Sequence, residues 1–424
     1  MDHDRTTKPG ALLLGGAHGS LAVARSLGRH GIPIFFVTND NQITKLSRYT
    51  TASASWAGPN SPDAVKTLLE LAERHDLSGY VLFPGGDEEA RLVAQNHAAL
   101  SSVFRVTTPE WETTQWALDK KLTYQRAASL GIHHPWSLYP RGRQDIAQLN
   151  CRFPVILKPT ARLGANAFTM AKAWQIHNQT DLLDRYDQAV ALVGTQGIVL
   201  QEMIPGGGTT QFSYAAICDR GQSIASIVAR RARQYPINIG YTSTLVRSVD
   251  CQEVEEAGSR FLQSLNYTGI AEVEFKYDSR DGCYKILDVN ARVWTWNALG
   301  GIAGVDFPYI LWQQALGKAV TPSRGRSGAT WMHFSRDFVA GCEEIAIGRI
   351  SLFDYLKSFR APLVFAAFAI DDPLPGIADL PLLVFRIFTS RLPMMLRNLA
   401  QSGSKRLFKT WESIFRRPSN HKAL

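Results

Sequence analysis

Glu272, Glu274, Asp288 and Asn290 are the side chains whose types and spacing point most directly to chemistry. They lie in AEVEFKYDSRDGCYKILDVNAR, Ala271 to Arg292. Alternation in the first half sets Ala271, Val273, Phe275 and Tyr277 on one face and Glu272, Glu274 and Lys276 on the other, the pattern of a half-buried strand. The second half sets Lys285, Leu287, Val289 and Ala291 against Ile286, Asp288, Asn290 and Arg292, with the turn-forming DSRDG between the runs. The pattern predicts an antiparallel hairpin. With symmetry about Asp281, Glu274 faces Asp288 and Glu272 faces Asn290, and like charges directly opposite destabilise a strand pair unless something bridges them. A divalent cation would do so. Mg²⁺ takes oxygen ligands from carboxylates and amides and completes its shell with water and substrate phosphates, so the hairpin reads as one wall of a Mg-nucleotide site. The competing reading is an exposed, charged face on an edge strand.

Other charged residues stand where a fold normally avoids them. Lys158 follows the apolar VIL of FPVILKP, a costly position unless the ammonium points at an anion. Arg230, Arg231 and Arg233 precede the polar stretch QYPINIGYTST, and strand alternation puts Arg231 and Arg233 on one face; a solvated basic strand edge is the alternative. Gly15, Gly16 and Gly19 of GGAHGS invite a dinucleotide reading but do not fit G-x-G-x-x-G. A helix start that packs closely or holds an anionic group fits them better.

These residues need a scaffold of several elements. With 424 residues the chain is too long for one core and predicts two to three domains. Ala11–Leu14, the helical LAVARSLGRHG and the apolar IPIFFV make a βαβ opening, and Tyr80–Phe83 is another buried strand, ending in PGGDEE and backed by a helix over Glu88–Leu100. The expected fold class is therefore α/β and α+β. A doubly wound parallel-sheet domain comes first, and its ligand-binding loops are GGAHGS and PGGDEE. A mixed α+β region begins at Asp119: a helix closed by Gly131, the strand FPVILKP, the strand Ile198–Gln201, a hairpin turning at Asp219-Arg220-Gly221 and a helix over Glu253–Leu265.

Composition narrows the class further. The five cysteines have no metal-ligand or disulfide-framework spacing, and MDHDRTTKPG has no apolar core of a secretory signal, so a cytoplasmic setting is expected. Nearly all of the net charge of +9 comes from residues 381–424, where nine Lys and Arg face Glu412 alone. The excess describes a tail and not a nucleic-acid groove. Ala361–Ile370 is too short an apolar run to span a bilayer, while Leu382–Leu399 mixes apolar bulk with arginines. That mixture fits peripheral contact with the inner face of an anionic membrane, or a helix packing on the body.

The order DK, PVILKP, VLQEMIPG, EFK and LDVNAR resembles the ATP-grasp superfamily in its carboxylate–amine ligase branch, over Leu12 to Gly317. The resemblance implies an N-terminal α/β domain at 1–118, a two-subdomain ATP-grasp domain at 119–320, and a helical, basic extension at 321–424. It implies that Lys120 (or Lys121) and Lys158 contact nucleotide phosphates. Gln201, the Glu202 carbonyl and the Ile204 N–H would read the purine edge. Glu274, Asp288 and Asn290 would hold Mg²⁺, with Mn²⁺ as a substitute, and Glu272 would lie outside the ligand shell or partner Lys276. Arg292 would touch the transferring phosphate, and Arg231 and Arg233 a substrate carboxylate, with Trp294 and Trp296 lining the same pocket. Two departures stand out: Gln211 occupies a place where relatives hold an acidic ribose ligand, and the phosphate loop TARLGANA has only Gly164, with Arg162 as a supplementary charge. The expected activity is ATP- and Mg²⁺-dependent amide formation between a small-molecule carboxylate and an amine, through an acyl-phosphate and with an amino acid among the substrates. The rival readings are an NAD(P)- or FAD-dependent oxidoreductase resting on GGAHGS, and a membrane-associated protein with a vestigial ATP site.

Overall fold

The computed structural model describes residues 9–160, 166–171, 173–237, 242–360 and 362–386. Two compact units emerge, one of Met1–Pro135 with Ile204–Asp379 and one of Trp136–Met203 with Leu380–Leu424.

The larger unit opens with a parallel sheet of β1 (Ala11–Leu14), β2 (Ile34–Thr38), β3 (Thr50–Ser55), β4 (Val81–Pro84) and β5 (Arg105–Val106), in the order β3-β2-β1-β4-β5. The strands β1, β2 and β4 are buried at every residue, and ALLL, IFFVT and VLFP are the near-continuous apolar runs that a sheet covered on both faces requires. Strand order reverses between β1 and β4, so GGAHGS and PGGDEE meet at the switch point. A Cβ on Gly16 would lie 3.0 Å from the Cα of Gly85. The expected helix over Glu88–Leu100 is two helices, Asp87–Gln95 and His97–Ser101, parted at Asn96, whose side-chain amide donates to the Leu92 carbonyl.

The smaller unit is built on an antiparallel sheet of β6 (Ser137–Leu138), β7 (Val155–Pro159), β8 (Trp174–Ile176) and β9 (Ile198–Glu202), ordered β6-β9-β7-β8. The helix Gln179–Val193 covers it through Leu182, Tyr186 and Ala189.

The second sheet of the larger unit contains β10 (Gln211–Asp219), β11 (Gln222–Tyr235), β12 (Thr242–Ser248), β13 (Gly269–Asp278), β14 (Cys283–Asn290), β15 (Ser323–Arg324), β16 (Thr330–Met332) and β17 (Leu363–Phe365). Its order is β14-β13-β10-β11-β12-β16-β17, with β15 on β11. One face packs on the helix Gln252–Ser264 through Val254, Phe261 and Leu262, against Tyr214, Val228 and Val273. The other joins Ala215, Ile227 and Ala229 to Trp294, Trp312 and the first sheet's Leu13 and Phe36. The expected helical extension is thus only partly helical, since β16 and β17 lengthen this sheet. The apolar run beginning at Ala361 supplies β17, and Ala361 itself lies outside the described residues. Among the described residues no helix is long and apolar enough to cross a membrane. Most of the stretch Leu382–Leu399 and the basic end beyond it lie outside them.

Candidate functional site

The hairpin β13–β14 has the predicted register, with Glu272 opposite Asn290 and Glu274 opposite Asp288. Its turn is held by the buried Asp278, which accepts from the Arg280 backbone N–H at 3.0 Å, the Arg280 guanidinium at 2.8 and 2.6 Å, and the Lys285 ammonium at 2.9 Å. The Arg280 guanidinium and then Lys285 hold the Asp278 carboxyl well below the usual carboxylate range.

Simple alternation fails in one place. Between Glu274 and Phe275 the register slips, so Glu274 pairs with Asp288 but Phe275 with Ile286, and Leu287 is the extra residue of a bulge. Alternation alone sets Ile286 beside Asp288; it is fully buried with Phe275 instead, because an isoleucine gains more in that core than on a charged face. The bulge is stitched down from both sides of its chain: Tyr124 donates to the Leu287 carbonyl at 3.0 Å, and the Ile286 N–H donates to the His133 carbonyl at 2.8 Å.

Around the carboxylates the chain supplies a ring of donors. Asn290 Nδ2 donates to Glu272 and to Glu274, each at 3.0 Å. Trp296 Nε1 donates to Glu272 at 2.9 Å, and Gln211 Nε2 to Glu274 at 2.5 Å. The Lys120 ammonium, on the first residue of the helix Lys120–Ser129, contacts Asp288. Asp119 caps that helix by accepting from the N–H groups of Lys121 and Leu122, which sets where Lys120 leaves the backbone. Burial, then the Glu274 carboxylate, push the Glu272 carboxyl up. Burial works against the charge of Lys120, but Asp288 outweighs it and the ammonium's pKa is raised. The guanidinium of Arg231 lies 4.0 Å from Glu274, where burial lowers its pKa and the two glutamates oppose that shift.

The donor set fits a hard cation. Glu274 and Asp288 present carboxylate oxygens from opposed strands, and the oxygen-rich set suits Mg²⁺ or Mn²⁺. Asn290 turns its amide nitrogen to the glutamates and its oxygen to Arg292, so it would ligate only with the amide reversed. Glu272 is buried and bonded to Asn290 and Trp296. It is therefore no solvated partner of Lys276, which reaches the Gly206 carbonyl at 2.8 Å.

Arg292 is held by a residue that the sequence did not single out. Its Nε donates to Asp87 at 2.7 Å, and the other guanidinium nitrogens donate to Asn290 Oδ1 at 2.9 Å and the Val293 carbonyl at 3.1 Å. Burial lowers the pKa of this guanidinium, but Asp87 outweighs it and the net shift is upward. Asp87 belongs to PGGDEE, and the available signal was the position of that loop at the carboxyl end of β4. From the same loop, Glu89 lies over Gly15: a Cβ there would overlap Glu89 Oε1, and Gly15 has φ +62°. Gly19 has the Trp294 carbonyl where its Cβ would be, 2.7 Å away. A carboxylate and a packed backbone at this helix start speak against a dinucleotide pyrophosphate there.

Arg231 and Arg233 do not share a face. In the β11–β12 ladder Arg231 pairs with Val246 and Arg233 with the adjacent Leu245, so Ala232 is an extra residue and the two arginines point oppositely. Arg233 is buried, donates to both oxygens of the buried Asp337 at 3.0 and 2.7 Å and to Ser358 at 2.8 Å, and lies over the Tyr355 ring. Trp294 packs in the core, while Trp296 bonds Glu272.

In the smaller unit Lys158 leaves β7 beside β9 and donates to Gln201 Oε1 at 2.7 Å, and Gln201 Nε2 donates to Ser137 at 3.0 Å. The Glu202 N–H donates to the Trp136 carbonyl at 2.8 Å. Ile204, just beyond β9, has a buried side chain. Arg162 and Gly164 of the phosphate loop lie outside the described residues.

Residues 143–321 match the family model of the carbamoyl-phosphate synthase L chain, ATP binding domain. The chain is similar to a D-aspartate ligase of Enterococcus faecium, 23% identical over 267 residues, which cover 59% of this chain and 62% of that protein. It thus spans under two thirds of that relative's length. Its fold is similar to that of Campylobacter jejuni biotin carboxylase, solved as a β,γ-ATP complex (TM-score 0.58, 17% identity, 75% of this chain and 74% of that one). It is also similar to the L-amino acid ligase of Bacillus licheniformis (TM-score 0.56, 14% identity, 74% and 77%). The matched residues 143–321 include the strand lysine Lys158 and the hairpin β13–β14, and over them the chain matches an ATP-grasp domain.

Proposed function

We propose that this protein is an ATP- and Mg²⁺-dependent ligase that activates a carboxylate as an acyl-phosphate and joins it to an amine, with an amino acid among its substrates. The observation that carries this reading is Glu274 directly opposite Asp288, with Asn290 donating to Glu274, Lys120 contacting Asp288 and Arg292 donating to Asn290. The similarity to a D-aspartate ligase supports the amino-acid substrate.

A bound divalent cation supplies charge neutralisation at the phosphate oxygens. Lys158 and Lys120 serve as compact cations that follow those oxygens, and Arg292 offers a fork to an oxyanion. Gln201, the Glu202 carbonyl and the Ile204 N–H read the purine, and Arg231 faces the substrate carboxylate. A substrate carboxylate oxygen attacks the γ-phosphorus, the bond from phosphorus to the β–γ bridging oxygen breaks, and ADP leaves. The amine nitrogen then attacks the acyl carbon, the carbon–oxygen bond to phosphate breaks, and the nitrogen gives up a proton. The chain needs no nucleophile of its own for this sequence. It must keep water from the acyl-phosphate.

Phosphate release with ATP, Mg²⁺ and a pooled panel of amino acids tests the assignment. Activity that depends on an amino acid and is lost in Glu274→Gln and Lys158→Ala supports it. Release that both substitutions leave unchanged rejects it.

A further inference from the structure

The strands β11 and β12 place Arg230 directly opposite Arg247. Two guanidinium groups paired across an antiparallel ladder repel unless an anion lies between them. The register puts them on the face away from the candidate cation site. Glu274 pairs with Ser213 and Ser213 with Ala229, so Ala229 and Arg231 share the face of Glu274 while Arg230 takes the other. The bulge at Ala232 then returns Arg233 to the side of Arg230.

A cavity of about 760 Å³ opens on this face, lined by Arg230, Arg233, Arg247, Arg349, Lys357 and Ser358. Its carboxylates among the described residues are Glu344 and Asp354, and Asp337 is already committed to Arg233. Among the described residues the cations of this lining therefore outnumber its carboxylates. Arg230 Nε is buried with no hydrogen-bond partner among the described residues, an unmet donor on a charged group. Burial, then Arg233 and Arg230, push the Arg247 pKa down, so the charged guanidinium is held at a cost that a nearby anion would offset.

We propose that this cavity binds a small molecule through a phosphoryl group seated between Arg230 and Arg247. A phosphate monoester carries about −1.5 to −2 charges near neutrality, which matches the excess of cations, and its three oxygens accept from both forks. The cavity is far larger than one phosphate and falls within the roughly 300–1,000 Å³ typical of small-molecule sites, so the phosphoryl group is the handle of a larger ligand. The inference does not rest on the ligase reading, because these residues occupy the opposite face of the sheet from Glu274.

Calorimetric titration with inorganic pyrophosphate tests it, in EDTA and at constant ionic strength, in a Lys158→Ala background that removes the expected nucleotide-phosphate contact. Saturable binding is expected in that background, weakened about tenfold or more by Arg247→Gln and by Arg230→Gln, with binding of Mg-ADP to Arg247→Gln in the otherwise wild-type chain unchanged. Absence of saturable binding overturns the proposal, as does equal binding with and without Arg247. Succinate binding as tightly as pyrophosphate overturns the phosphoryl class. Failure of ATP turnover leaves these outcomes unaffected, so the two proposals fail separately.

Discussion

The ammonium of Lys120 rests on the carboxylate of Asp288, the residue directly opposite Glu274. A lysine from a helix start thus neutralises the strand pair at the point where two carboxylates would otherwise repel. Removing it should leave a stronger demand for a cation. Lys120→Ala is expected to gain more thermal stability from added Mg²⁺ than the wild type does, while its ATP turnover falls. Equal stabilisation of both proteins by Mg²⁺ would show that Lys120 and the cation do not share Asp288.

Glu274→Gln and Asp288→Asn keep size but remove charge from the cation's expected ligands. Gln211 and Asn290 donate to different oxygens of Glu274, so the single amide oxygen of Glu274→Gln keeps one of these two bonds. A metal clamp contributes several kcal/mol to phosphoryl transfer, so ATP-dependent phosphate release should drop about 10²- to 10³-fold in each. Circular dichroism should show the fold unchanged.

Arg233 and Asp337 form a buried, two-pronged pair with side-chain exposures of 6% and 0%. Breaking such a pair strands a charge, and Asp337→Ala should cost about 3–5 kcal/mol in denaturant unfolding. Arg231→Ala, whose guanidinium is 4.0 Å from its carboxylate, should cost less. A near-neutral Asp337→Ala would return Arg233 to the pool of residues available to substrate.

Asp278 makes hairpin stability depend on pH. Its folded-state pKa is depressed by Arg280 and Lys285, so its contribution is fully present above the unfolded value of about 3.9 and is lost as pH falls from there through the lower folded value. Thermal unfolding followed from neutrality to about pH 3 should fall more steeply at the acid end for the wild type than for Asp278→Asn. Parallel curves would remove Asp278 from the account.

Phe353, Ile370 and Ile377 are 62%, 90% and 67% exposed, and the sequence beyond residue 380 is rich in Lys and Arg. Apolar contact plus positive charge is the combination that binds anionic bilayers. The full chain is expected to sediment with phosphatidylserine vesicles, less so as salt rises, and poorly with phosphatidylcholine. If a chain ending at Asp379 sediments equally well, the tail is not the anchor.

The hairpin was legible from the sequence because its determinants are local: period-two alternation, a DSRDG turn, and carboxylates that symmetry sets face to face. The same holds for the glycine-bearing turns after β1 and β4 and for Lys158 at the end of an apolar strand. The bulges were not legible. Leu287 and Ala232 add one residue each without changing composition, yet each reverses the face of everything beyond it, moving Ile286 into the core and parting Arg231 from Arg233. Which residue an arginine meets was equally hidden, since Arg292 finds Asp87 and Arg233 finds Asp337 across more than a hundred residues of chain. Residue types and short-range spacing thus determined the hairpin, the turns and the strand that carries Lys158, because strands and turns are encoded within a few residues. The tertiary structure alone decided which charges are spent on one another and which remain for a ligand, because that depends on partners brought together only by folding.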